Sequence, residues 1–466
     1  MPWILHRQHS SLSKLASRLA ADQRGVTAAI TGLALTLTLG FAGTAIDVAA
    51  WLNSKRGLQA AADQAAYSAA GGAGTTGCPN NAATTQATAI AAARGYVNGQ
   101  NGANVDVSCN AGNSTFTVQI SQVQPLWFTR LFLSSPPTAS ARATAQLAGT
   151  ESDLCILALD GTNFYEGVIG NDASAFWLNG NTTVNVQCGV AVDSSNVAAL
   201  STGGSSSLTA TSIYLVGDHQ GSPSGSSTMA TSPTPNKILK NQRPVADPYA
   251  GRLIPPYTCG SYSMTNFTTG TLTQSSSSPG ASPHTFCGGL SLGVSGGSAT
   301  TVTVQPGVYI IAGGSLTFNS KSTVIANGVT FVLTGDNVHG YATITVNGGP
   351  QSALQLTAPS SGAYGGLAFF QDRNAPSPST SGGTSSCGGG NSQNQLAGGS
   401  TQLITGAVYF PSQSICWGGG SSTSGAGKCT QLISYSMSFT GNSTIRADCA
   451  GTGISSISVT RPQLIQ

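Results

Sequence analysis

The chain has 466 residues, a formal net charge of +3 and only 7% charged residues. A charge this small, with no Lys/Arg block beyond the N-terminal flank, excludes electrostatic capture of nucleic acid. The 60 glycines and recurrent short β-branched runs describe an uncharged, folded, β-rich chain rather than a disordered one.

Residues 1–25 form a basic segment in which Arg7, Lys14, Arg18 and Arg24 outnumber one acid, Asp22. Val26–Ile46, VTAAITGLALTLTLGFAGTAI, follows without a charge. As a helix it reaches about 31 Å, the thickness of a bilayer core. It exceeds the ~7–15 residues of a cleaved signal peptide's apolar region and suits a retained signal-anchor better than a buried core helix. The basic flank predicts a cytoplasmic N-terminus, a single span over 26–50 and an exported remainder.

Helix continues past the anchor. Trp51 falls where an amphipathic ring favours the interface, and Leu58–Ala70 is dominated by alanine up to Gly71-Gly72. Leu58, Ala62, Ala65 and Ala69 share one face, suited either to a partner helix or to the domain's own sheet. A second Ala-rich helix is expected over Ala82–Tyr96, with strands at Ala103–Cys109, Ser114–Val123 and Ser140–Leu147. Pro125–Phe132, PLWFTRLF, is an aromatic and aliphatic cluster between the last two. Residues 51–150 thus read as an α+β stalk.

The segment from Arg24-Gly25 through the span, Asp47, Trp51 and L-Q-A-A-A-D-x-A-A (Leu58–Ala66) resembles the N-terminal module of TadG-like proteins of the Tad (Flp) pilus-assembly group. The resemblance implies a pilin-like stalk, a place in the bacterial envelope, and other Tad/Flp pilus components as partners. Pilins and TadE-like pseudopilins carry Glu at the fifth position after the cleavage-site glycine. Ile30 stands there, so processing at Gly25 is not expected.

From Glu151 the texture changes. Runs of four to eight β-branched or aromatic residues alternate with Gly, Asn and Ser turns, and a G-h-x-h unit (h, apolar) recurs at Gly189, Gly307, Gly328, Gly366 and Gly406. Repeats near 20 residues predict a parallel β-helix over 151–466, each coil covering the next. The alternative is an antiparallel β-sandwich turned by Asn179-Gly180, Asn327-Gly328 and Asn347-Gly348. The fold class is therefore mainly β, with an N-terminal transmembrane helix and a small α+β domain. Arg243–Gly251, RPVADPYAG, reads as a crossing between two blocks of coils. With Pro306–Phe318, Gly366–Arg373 and Gly406–Gln413 it resembles extracytoplasmic domains fused to TadG-like anchors. The D-x-S-x-S metal motif of a von Willebrand A domain is absent; Asp160–Phe164 and Asp172–Phe176 both miss its final serine.

The ten cysteines, Cys78, Cys109, Cys155, Cys188, Cys259, Cys287, Cys387, Cys416, Cys429 and Cys449, all follow the anchor, and none forms C-x-x-C. An even number in an oxidising compartment predicts disulfides, most simply between sequential neighbours. The histidines (His6, His9, His219, His284, His339) are scattered, so no metal or cofactor is expected. Glycoside cleavage needs paired carboxylates; Asp336 and Asp372 are the conceivable pair, but turn formation is the simpler role for Asp336, and a surface ion pair or turn with adjacent Arg373 for Asp372. The expected function is a non-catalytic envelope protein that assists pilus assembly or acts as a surface component contacting glycans or proteins. A membrane-tethered polysaccharide-processing enzyme is the alternative.

Overall fold

The computed structural model describes residues 24–72, 81–111, 115–161, 174–178, 180–221, 226–232, 237–260, 264–349, 351–377, 394–396, 401–418, 429–441, 443–445, 449 and 451–465. The chain divides into two compact units, Met1–Ala148 with Arg461–Gln466, and Gly149–Thr460.

In the first unit, helix α1 runs unbroken over Arg24–Gly72. It is long and apolar enough to cross a membrane, and its N-terminal half exposes Ile30, Leu33, Leu37, Leu39 and Phe41. Its C-terminal half is the reverse, burying Leu58, Ala61, Ala62, Ala65, Ala66, Ala69 and Ala70. The alanine face therefore meets its own domain and not a foreign helix. It packs with helix α2 (Asn81–Ala93), which buries Ala83, Ala87 and Ala91 at four-residue spacing. Alanine favours both helices, and its small side chain lets their backbones approach closely. Helix α2 stops at Ala93, three residues short of expectation, because Gly95 turns the chain with φ +93°.

Both helices lie on an antiparallel sheet of β1 (Ala103–Asn110), β2 (Thr115–Val123) and β3 (Thr138–Ala158). Phe116, Val118 and Ile120 alternate into this core with Ala141, Ala143 and Ala145. Strand β3 is longer than its alternating part predicted, because it runs on into the second unit's first coil.

In the second unit the strands pair in parallel across successive coils and form three columns. In the first, Gly307–Ala312 lies beside Val329–Asp336, then Leu367–Gln371, then 406–410 of Thr401–Trp417 and 430–434 of Thr430–Phe439. The second column joins Leu290–Leu292, Ser315–Phe318, Thr343–Val346 and Asn394–Leu396. The third joins Thr300–Val304, Ser322–Asn327 and Ala353–Thr357. This pairing is consistent with a parallel β-helix. Asn327-Gly328 separates two strands that each pair with neighbouring coils and not with one another, so it is a corner rather than a hairpin turn. The recurrent glycines sit at the same kind of corner. A Cβ at Gly406 (φ +142°) would lie 2.7 Å from the Cβ of Ala358 and 2.9 Å from that of Ala368.

The coils are not stacked in chain order. Residues 432–434 pair with 156–158 and 437–439 with Phe176–Leu178, so the last coils abut the first. From there the stack continues through Gly189–Val192 to Ser212–Leu215. One block thus grows away from 154–186, and a second, begun at Thr265–Phe267, grows back to meet it.

Three disulfides join near neighbours in sequence: Cys155–Cys188, Cys259–Cys287 and Cys429–Cys449, with Cα separations of 5.8, 5.7 and 4.9 Å. Cys109 and Cys416 are also disulfide-bonded; Cys78 and Cys387 lie outside the described residues.

The interior carries an aromatic ladder. Phe331 stacks on Phe369 at 5.8 Å between ring centroids, and Tyr309 and Phe318 flank Phe331 at 6.0 and 5.9 Å. Phe369→Ala removes a fully buried ring from this ladder and is expected to cost about 3–5 kcal/mol, read from the denaturant midpoint of the second unit.

Candidate functional site

Two constellations gather polar groups where apolar burial alone would not place them. The first lies in the first unit and centres on Asp47, whose side chain is fully buried. Its Oδ2 accepts hydrogen bonds from the backbone N–H of Trp127 (3.3 Å), Phe128 (2.9 Å) and Thr129 (2.7 Å), and from the Thr129 hydroxyl (2.6 Å). A carboxylate in this position caps the short 3-10 turn Thr129–Leu131 from another element of the fold. One turn of helix away, the Trp51 indole donates to the Pro125 carbonyl at 3.2 Å. On the other side, a Cβ at Gly43 would lie 2.7 Å from Phe128 Cγ, so the phenylalanine ring occupies the space that glycine leaves. Gly43, Asp47 and Trp51 recur at four-residue spacing along one helix face and clamp the 125–132 loop. Of these, Asp47 and Trp51 belong to the sequence motif that carried the family resemblance. Their targets, Thr129 for Asp47 and Pro125 for Trp51, were not legible as site residues.

The second constellation lies in the second unit, on Arg243–Gly251. One line of the first column points outward: Ile310, Val332, Phe370, Tyr409, Ile433, Leu157, Ala191 and Tyr214 stand in successive register. Most of this line is apolar and buried, together with Val245, Tyr249, Tyr364, Ile457 and Val459. The segment from Val245 to Tyr257 is thus a strap over the column. It is pinned by polar contacts. Asp247 Oδ2 pairs with Arg373 at 2.6 Å and accepts from the Tyr409 hydroxyl at 2.8 Å, while the Arg373 guanidinium also meets that hydroxyl. Tyr249 packs edge-on against Tyr409 at 5.4 Å, and its hydroxyl accepts from the Ser455 N–H at 3.1 Å. Arg373 had been expected to form a surface ion pair or turn with adjacent Asp372; its partner is Asp247.

Asp193 lies beneath the strap and accepts from the Val245 N–H at 2.8 Å. Burial, with the Asp247 charge adding to it and the Val245 amide opposing it, pushes the Asp193 carboxyl up to about 7. Burial and the Asp247 charge also raise Tyr409 far above the ordinary phenol range.

Asp336 and Asp372 do lie on neighbouring coils, but turn and neighbouring-strand donors hold their oxygens. Asp336 accepts from the Val338 N–H at 2.9 Å and from the His339 N–H, and Asp372 from Thr334 Oγ1 (2.8 Å) and the Asn374 N–H (2.9 Å). Among the described residues, no cluster of three or more His, Cys, Asp or Glu forms.

Residues 25–72 match the family model for Tad, described as “Putative Flp pilus-assembly TadE/G-like”. The match covers most of α1, including Gly43, Asp47 and Trp51. No curated protein and no solved structure matches the chain.

Asp47→Ala leaves three amides and a hydroxyl without their acceptor. Trypsin should then cut after the exposed Arg130 several-fold faster than in the unaltered chain, with Asp47→Asn intermediate, as followed by limited proteolysis. The folded state holds the Asp193 proton more tightly than an unfolded chain with an ordinary carboxyl. Its contribution to stability is therefore full below about pH 4 and lost as pH rises through about 7. Asp193→Asn should flatten that window, stabilising the protein at pH 8 by up to about 4 kcal/mol relative to its effect at pH 4, measured by denaturation at both pH values.

Proposed function

We propose, from the TadE/G-like match over residues 25–72, that this chain is a membrane-anchored, non-catalytic envelope component of Flp pilus assembly. The observation that carries the reading is the clamp: the family-matched helix does more than pass through a membrane, because Asp47 and Trp51 fix the fold of the domain attached to it. An anchor built this way passes the position of the span directly to the exported part.

In this reading α1 crosses the inner membrane with the basic residues 1–25 in the cytoplasm, and the second unit lies in the periplasm or at the cell surface. A disulfide-braced stack suits that compartment. The exposed faces of the second unit carry Ser, Thr, Asn and Gln with little charge, as at Thr301, Thr303 and Gln355. Such surfaces offer hydroxyls and amides to glycans or to protein strands, and a pilus-associated or adhesive role follows from that chemistry. A non-enzymatic role is supported by the engagement of Asp336 and Asp372 in turns and between strands, and by the structural use of Asp247 in the strap.

Deleting the gene should reduce Flp pili seen by electron microscopy. The full chain should restore them and a chain carrying an unrelated membrane span in place of residues 25–46 should not, while crosslinking should recover Tad components. Unchanged pili after deletion would overturn the assignment.

A further inference from the structure

The loop clamped by Asp47 is an exposed apolar surface set at the end of the span. Leu131 is 85% exposed, Phe132 71% and Trp127 59%. Phe128 lies over Gly43, inside the apolar run 26–46, about 6 Å along the helix from Asp47 toward the membrane centre. The loop therefore stands beside the outer end of the span, on the helix face that also carries the exposed Leu39. Two further features separate it from an ordinary surface loop. Six of its seven backbone donors are satisfied within the protein: the amides of residues 127–129 by Asp47, that of Leu131 by Phe128, and those of Phe132 and Leu133 by Thr129. Internal satisfaction is the condition for placing backbone in a medium without water. Its composition, Trp and Phe with a single exposed Arg130, is that of interfacial belts, where the ring sits among headgroups and the guanidinium reaches phosphate.

We propose that Trp127–Leu133 inserts into the leaflet at the C-terminal end of the span and is a second membrane contact of this protein. The inference rests on reading 26–46 as a bilayer-spanning anchor. Asp47 is then the hinge post of a wedge: it holds the loop's amides so that Leu131 and Phe132 project into lipid. The helix and the wedge together present two lines of contact, which fixes the rotation and tilt of the stalk as well as its height.

The test uses the full-length chain in proteoliposomes of phosphatidylethanolamine and phosphatidylglycerol carrying a trace of radiolabelled phosphatidylethanolamine. Benzoylphenylalanine replaces Leu131, Phe132, Leu33 (within the span) or Val197 (exposed in the second unit), one at a time. After irradiation, positions 131 and 132 should yield labelled lipid adducts at least about tenfold above Val197 and comparable to Leu33. Lipid adducts at Leu33 with none at 131 and 132 would overturn the wedge and leave the anchor intact. Dimer-sized adducts at 131 and 132 in place of lipid would overturn it in favour of a self-association surface. No lipid adduct at Leu33 would overturn the anchor reading and the wedge with it.

Discussion

The second unit depends on in-register parallel pairing, because no strand in it can satisfy its backbone or cover its apolar face alone. Tyr309, Phe331, Phe369 and Val408 follow one another along the interior of the first column, each exposed on one side until the next coil arrives. Strands about 4.8 Å apart bring the three aromatic rings into stacking distance. The same register that fills the inside creates a problem outside, where Ile310, Val332, Phe370 and Tyr409 form an apolar stripe. The strap answers it. Val245 and Tyr249 cover the stripe, while Asp247, Arg373 and the Tyr409 hydroxyl fix the strap's position.

The first unit solves a related problem with a carboxylate. Its helix carries two surfaces of opposite requirement, apolar and exposed before Asp47, alanine-rich and buried after Leu58. Between them the chain needs a fixed point, and the four donors gathered on Asp47 Oδ2 provide it. In both units a buried acid, Asp47 or Asp193, organises backbone from a distant part of the sequence.

Much of this is legible in the sequence. Helix α1 followed from an uncharged run and an alanine-rich continuation, strands β1 and β2 from period-two alternation, and the coil corners from Gly307, Gly328, Gly366 and Gly406. Cys155–Cys188, Cys259–Cys287 and Cys429–Cys449 join sequential neighbours, the simplest pairing of an even set. What escaped was the long-range capping. Asp47 and Thr129 are 82 positions apart, and Arg373 and Asp247 are 126 apart. A side chain that accepts from distant amides leaves no period and no motif at its target. Coil order was hidden for the same reason: residues 156–158 pair with 432–434, and nothing local distinguishes that edge from the edges between consecutive coils.

That non-sequential stacking has a consequence for how the protein must be made. The coil written first in the chain finds one of its two neighbours only when residues near 430–445 have been synthesised. If the chain leaves the cytoplasm N-terminus-anchored and in order, its earliest strands wait with an open edge through nearly the whole of secretion. An open parallel edge is a template for foreign strands. On that reading the early edge would stay open until residues near 430 arrive, and a chain truncated before residue 430 would be expected to aggregate rather than to fold as a shorter stack.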